Sequence, residues 1–174
     1  VRGKETKKVL DKLGIKCPKV FGDIGLLLPR FFNPNVEIIY DIGLIFHYQD
    51  KDKNLVDLLK QFYNINFINV NLPVEDFIIE VKKCKYTISS SLHGVIISHA
   101  YNIKSVPFHL QKNGINNTFF KFEDYYSCFD LKFVKIFRED ILNKNLLELI
   151  NEYQQPKFPI DTNLLYDSCP FRIK

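Results

Sequence analysis

Tyr86-Thr87-Ile88-Ser89-Ser90-Ser91-Leu92-His93-Gly94-Val95-Ile96-Ile97-Ser98-His99-Ala100 is the stretch whose reading decides the fold. An apolar run closes in three serines, turns through Leu92, His93 and Gly94, and resumes as a second apolar run from Val95. The pattern predicts a strand over Tyr86 to Ser89 leading into a helix over Gly94 to Tyr101. A helix that starts this way turns unpaired backbone N–H groups, the positive end of its dipole and a histidine toward one point. Such a point suits an anion.

Outward from this turn the chain alternates. Lys4 to Leu13 has helical spacing and stops at Gly14, a preferred residue after a helix. Cys17 to Leu28 predicts a short strand through Val20 and Phe21, then a buried turn or helix from Ile24. Glu37 to Tyr48 predicts a central strand ending at His47, and its near-continuous apolar run is that of a buried parallel strand. An amphipathic helix is expected over Asn54 to Tyr63, with Leu55, Leu58, Leu59 and Phe62 on one face, followed by a strand over Asn66 to Val70. Pro73, with Glu75 and Asp76 behind it, opens another helix. After the central turn come a strand over Ser105 to Leu110, a loop over Gln111 to Thr118, an aromatic helix over Phe119 to Phe129 and one amphipathic helix over Ile141 to Tyr153. Repeated strand–helix units predict an α/β fold with a doubly wound, Rossmann-like parallel sheet. In such sheets ligands bind at the carboxyl ends of the strands, where His47 and Ser89 to His93 fall.

Composition narrows the classes. Of 174 residues 46% are hydrophobic, enough for one sizeable core and too many for a disordered chain. The net charge of +4 is a weak lysine surplus without a nucleic-acid-binding stripe, and Lys4 to Lys12 and Lys82 to Lys85 read as solvated helix faces. A modest attraction to anionic lipid or phosphate is allowed. Cys17, Cys84, Cys128 and Cys169 are dispersed, form no CxxC pair and read as reduced thiols. No membrane-spanning run or signal sequence is evident, so the expectation is a cytoplasmic protein, able to lie at the inner face of the membrane. The start at Val1, without methionine, reads as a piece of a longer protein.

His93 is the strongest candidate for chemistry, because a histidine at a strand-to-helix turn can protonate or hold a phosphate; the alternative is a histidine that only caps the turn. Ser90 and Ser91 can donate hydroxyls to a ligand or cap the following helix, and Gly94 can admit a ligand or only form the turn. Arg2, one of four arginines, can grip phosphate or carboxylate by paired hydrogen bonds or stand exposed at the terminus. His47 faces the same sheet edge. His99 reads as a packed residue, and His109 and Asp23 stay ambiguous. GxGxxG, GxSxG and metal-spaced carboxylates are missing.

The blocks Arg2-Gly3 with Thr6, GDIGLLLP from Gly22 to Pro29, IGLIFHY from Ile42 to Tyr48, SSSLHG from Ser89 to Gly94, and KFEDYYS from Lys121 to Ser127, in this order, resemble the polysaccharide pyruvyl transferase family. The resemblance implies the C-terminal half of a two-domain transferase of the GT-B type. Residues 1–155 would be its Rossmann-like donor-binding domain and residues 156–174 a tail or crossing helix, with an N-terminal acceptor domain absent. It further implies transfer of the enolpyruvyl group of phosphoenolpyruvate to two hydroxyls of a saccharide, lipid-linked or free, of an exopolysaccharide or cell-surface glycan. The product is a pyruvate ketal; no metal or other cofactor is required. By the family's motif, Arg2, Leu92 through its N–H, and His93 contact the donor, with Ser90, Ser91, Gly94 and His47 around them. Many members carry arginine where this chain has Ser91. A GT-B glycosyltransferase half using a nucleotide-sugar, with Tyr125 or Glu123 near the nucleoside, is the competing expectation, and a non-catalytic homologue is another. The fragment alone is expected to be inactive.

Overall fold

The computed structural model describes residues 1–110, 118–156 and 161–168. Four parallel strands form its sheet: β1 (Tyr40–Ile45), β2 (Ile65–Ile68), β3 (Cys84–Ser89) and β4 (Lys104–Pro107), in the order β2-β1-β3-β4. Helix α1 (Lys4–Lys12) precedes them, and α2 (Lys53–Phe62), α3 (Val74–Lys82) and α4 (Leu92–Ala100) make the crossovers. After β4 come α5 (Thr118–Ser127), α6 (Arg138–Asn143), α7 (Leu146–Glu152) and α8 (Thr162–Asp167).

Period-2 alternation gives each strand two buried faces. Ile42, Leu44 and Phe46 join one cluster with Leu55 and Leu59 of α2, Phe122, Tyr125 and Tyr126 of α5 and Leu146 of α7. Ile45 joins another with Ile68 and with Phe77 and Val81 of α3. Apolar cover on both faces is what a parallel sheet requires, and the doubly wound α/β reading agrees with the structure. The chain leaves β1 toward β2 and later passes to the other side of β1 to form β3, so the strand order reverses between β1 and β3. Their carboxyl ends diverge there into His47 on one side and Ser90 on the other.

Several elements differ from expectation. No strand forms at Val20 and Phe21; the segment runs extended into a 3₁₀ helix (Ile24–Arg30) whose N-cap Asp23 accepts from Gly25 N–H. Ile38 and Ile39 stay exposed ahead of β1, and Leu58 and Phe62 point outward from α2. The helix expected over Ile141 to Tyr153 is two helices. Asn145 divides them, its side chain accepting from the amides of Leu147 and Glu148, so it starts α7 instead of continuing α6. Most of the loop expected over Gln111 to Thr118 lies outside the described residues. The short helix expected in the tail is α8, whose Tyr166 ring lies 6.3 Å from Phe31 and beneath the Arg30 guanidinium. No helix among the described residues is long and apolar enough to cross a membrane.

His99 is packed, as its setting in an apolar helix suggested. It is fully buried, with Nδ1 3.0 Å from the Tyr125 hydroxyl, and burial pushes its pKa down to about 3. The unfolded chain takes up a proton near pH 6.5 that the folded chain refuses until about pH 3, so this group destabilises the fold as pH falls through that window. Its contribution is about 1.4 kcal/mol per pH unit between roughly pH 6 and 4. His109, pushed down to about 4 mainly by burial, acts in the same sense. Urea unfolding at pH 7, 5 and 4 is expected to show this decline, with a shallower slope in His99→Gln. Equal slopes would mean that the decline has another source.

Candidate functional site

The site begins with the turn after β3. Ser89 is buried, and its hydroxyl donates to Ser91 C=O (2.8 Å) and accepts from Ser91 N–H (3.1 Å), which bends the chain back on itself. Ser90 reaches the other way: its Oγ donates to Asp50 (2.5 Å) and accepts from His47 N–H (2.9 Å), while Ser90 N–H donates to Ile45 C=O. Ser90 therefore ties the β1 and β3 loops together across the point where the strand order reverses.

Helix α4 opens at Leu92, two residues earlier than expected. Ser91 occupies the N-cap position but makes no side-chain cap, and the first helical bond runs from Val95 N–H to Ser91 C=O. The amides of Leu92, His93 and Gly94 find no acceptor among the described residues. The first turn of an uncapped helix presents such donors to a ligand. The Leu92 side chain is buried in the core, so only its N–H can face outward. His93 is exposed on the same turn. Gly94 sits where a Cβ would lie 2.4 Å from Ser89 Oγ and 2.9 Å from Ile45 Cγ2. Its role is to let α4 start directly over β1 and β3.

Arg2 approaches from the chain start. Its Nε donates to Asp23 at 2.9 Å, and Asp23 caps the 3₁₀ helix that packs on α4. The backbone turns to allow this at Gly22, whose φ of 138° suits glycine and whose N–H donates to Arg2 C=O. Gly3 lies against α5 so closely that a Cβ would be 1.7 Å from Asp124 C=O. Asp124, 2% exposed, accepts from Thr6 N–H and Thr6 Oγ1, each at 2.7 Å, and Lys4 N–H donates to Ser127 Oγ. A clasp between α1 and α5 thus holds Arg2.

The electrostatics join these pieces. His47 is half-buried; burial, then the positive charge of Lys121, lowers its pKa, Asp50 opposes this, and His93 lowers it a little further. Burial and then Arg2 lower the pKa of Lys121, against Asp50. His47 thus feels Lys121, Asp50 and His93, and Lys121 feels Asp50 and Arg2. Of the seven residues expected at the site, His47, Ser90, Ser91, Leu92, His93 and Gly94 stand at the carboxyl ends of β1 and β3, while Arg2 is tied to Asp23 of the 3₁₀ helix that packs on α4. Asp50 and Lys121 were missed as individual candidates, although Lys121 stands inside the KFEDYYS block. A pocket of about 410 Å³ opens beside the two histidines, between Ser91 and Ile97 of the β3–α4 segment, Val70 and Leu72 after β2, and Phe77 of α3. His109 also feels Lys121 and Asp50, but it is buried and wedged edge-on against Phe119 and Phe122 at 4.4 and 5.1 Å. Asp23 is structural, as cap and counter-ion.

A family model described as polysaccharide pyruvyl transferase matches residues 1–111. Among curated proteins the chain is 29% identical, over 171 residues, to the uncharacterized protein L143 of Acanthamoeba polyphaga mimivirus. That alignment covers 95% of this chain and 59% of the viral protein, so the chain spans well under two thirds of its relative's length. No solved structure matches.

Proposed function

The chain belongs to the polysaccharide pyruvyl transferase family, and from that premise we propose that the β1–β3 edge binds phosphoenolpyruvate as donor for ketal formation on a saccharide. The observation that supports this reading is the uncapped first turn of α4, with His93 on it and His47 at the end of β1; the Arg2 held by the clasp supplies a cation in the proposed site. Phosphoenolpyruvate bears a phosphate and a carboxylate, and preorganised amides and cations favour both anions without rearranging as charge moves.

In the proposed reaction His93 delivers a proton to the donor's methylene carbon, which becomes a methyl group and leaves a cation-like centre at the neighbouring carbon. One sugar hydroxyl adds there and gives up its proton. Phosphate departs with its bonding electron pair, the second hydroxyl adds and loses its proton, and the cyclic ketal closes. Two hydroxyl protons are released and one proton is consumed at carbon, leaving one for the phosphate or solvent. Arg2 and the α4 amides hold the leaving phosphate throughout. The acceptor is a saccharide of a polysaccharide or surface glycan, lipid-linked or free, and the work is done at the cytoplasmic side of the membrane.

Calorimetric titration of the chain with phosphoenolpyruvate, and separately with a UDP-sugar, tests the reading. Phosphoenolpyruvate is expected to bind, and His93→Ala to weaken it by about tenfold, the value of one hydrogen bond to a charged group. Binding of the UDP-sugar alone would overturn the assignment in favour of glycosyl transfer. Unchanged affinity in His93→Ala would remove His93 from the site.

A further inference from the structure

We propose that Lys121 of α5 is a donor-binding residue, the second cation that phosphoenolpyruvate meets beside Arg2. This rests on the donor reading above and adds a residue to it. The turn after β3, Ser89 to Gly94, holds no arginine or lysine, so fixed positive charge must reach it from elsewhere. Arg2 supplies one cation, but Asp23 already engages its Nε at 2.9 Å. A donor with both a phosphate and a carboxylate calls for more.

Lys121 is placed to supply it. Lys121 and Asp124 stand three residues apart on α5 and so share one side of the helix; Asp124 is the residue that Gly3 and Thr6 abut. The adjoining face of α5 rests on His109, which follows β4, through Phe119 and Phe122. Lys121 therefore stands on a helix that packs both on the segment carrying Arg2 and on the residue that follows β4. Its side chain is half-buried, its Nζ lies 5.4 Å from the centre of the Phe122 ring, and no carboxylate among the described residues comes within ion-pair distance. A half-buried ammonium without a close counter-ion costs free energy. Burial disfavours its charge, Asp50 partly offsets this from beyond ion-pair distance, and Arg2 adds to the cost. An arriving anion would remove that cost, which is the arrangement of a binding residue and not of a stabilising one.

The two roles make opposite predictions for Lys121→Met, which keeps the apolar stem and deletes the charge. Phosphoenolpyruvate affinity of the chain, measured by calorimetry, is expected to fall about tenfold, and inorganic phosphate affinity to fall in the same direction. The thermal midpoint is expected to stay level or rise. Lys121→Arg, which restores the charge, is expected to retain most of the affinity. Undiminished binding in Lys121→Met, or affinity lost together with a lowered midpoint, would overturn the proposal. If the unaltered chain binds phosphoenolpyruvate and Arg2→Met weakens it while Lys121→Met does not, the lysine assignment alone fails. If the unaltered chain binds none, the donor reading fails and the lysine assignment with it.

Discussion

Gly3→Ala is expected to abolish measurable donor binding and to lower stability by about 3 kcal/mol or more, although it adds one methyl group far from any catalytic atom. The methyl carbon would stand 1.7 Å from the Asp124 carbonyl, and that obstacle is helix backbone, which cannot rotate aside as a side chain can. The Arg2–Thr6 segment must withdraw from α5 instead. Withdrawal stretches both 2.7 Å bonds from Thr6 to the buried Asp124 carboxylate and the bond from Lys4 N–H to Ser127 Oγ. Overfilling a packed contact costs about 1–3 kcal/mol, and loosening hydrogen bonds to a buried charge adds a similar amount. Arg2, one residue away, leaves its place with them. Urea unfolding and calorimetry on the same preparation check both halves of the expectation. A variant with unaltered midpoint and affinity would mean that the clasp does not position Arg2.

Gly94→Ala is the second large effect, and here two terms compete. Alanine favours helix over glycine by about 1 kcal/mol, so an exposed site would gain stability. At residue 94 the new Cβ meets Ser89 Oγ at 2.4 Å and Ile45 Cγ2 at 2.9 Å. Ser89 Oγ is held by its two bonds to Ser91, and Ile45 is fully buried in the sheet, so neither yields cheaply. Steric cost of about 1–3 kcal/mol wins. The first turn of α4 must lift away from the strand ends, carrying the amides of Leu92 and His93 out of the phosphate site proposed above. A modest drop in unfolding midpoint with a drop in phosphoenolpyruvate affinity of about a hundredfold or more is the expected result, two charge-assisted contacts being lost. A raised midpoint with full affinity would show that helix propensity decides and that Gly94 is only permissive.

The sheet and its crossovers were legible because each is a local pattern. Ile42 to Phe46 and Tyr86 to Ser89 read as buried strands, and the serine-histidine-glycine turn between two apolar runs could only be a strand-to-helix junction. What escaped was set by competition or by distance. The break at Asn145 was hidden because Leu142, Leu146, Leu149 and Ile150 keep helical spacing through it, while the asparagine side chain caps a new helix. Val20 and Phe21 have strand propensity but no neighbouring strand to pair with. Of the site, the histidines and serines were visible as chemistry beside a turn. Asp50 was not, since nothing near it in sequence marks an aspartate in a loop as the partner of Ser90, and nothing near Lys121 singles out a lysine in an aromatic helix. Asp50 is forty residues from its partner Ser90, and Asp124 is 118 residues from Thr6.

That last separation bears on how the protein comes to be made. Closing so long a loop is slow relative to forming the local strand–helix units, and a ribosome releases residue 2 long before residue 124. The sheet can assemble while the first helix still swings free, and the arginine finds its station only when the aromatic helix docks. A nascent or proteolysed chain that stops at residue 111, the limit of the family match, would carry the arginine, both histidines and the serines yet lack the anchor that aligns them. If the proposed donor site is right, competence to hold the donor is thus a late event in this chain's maturation, and a chain truncated after residue 111 is expected to lose binding.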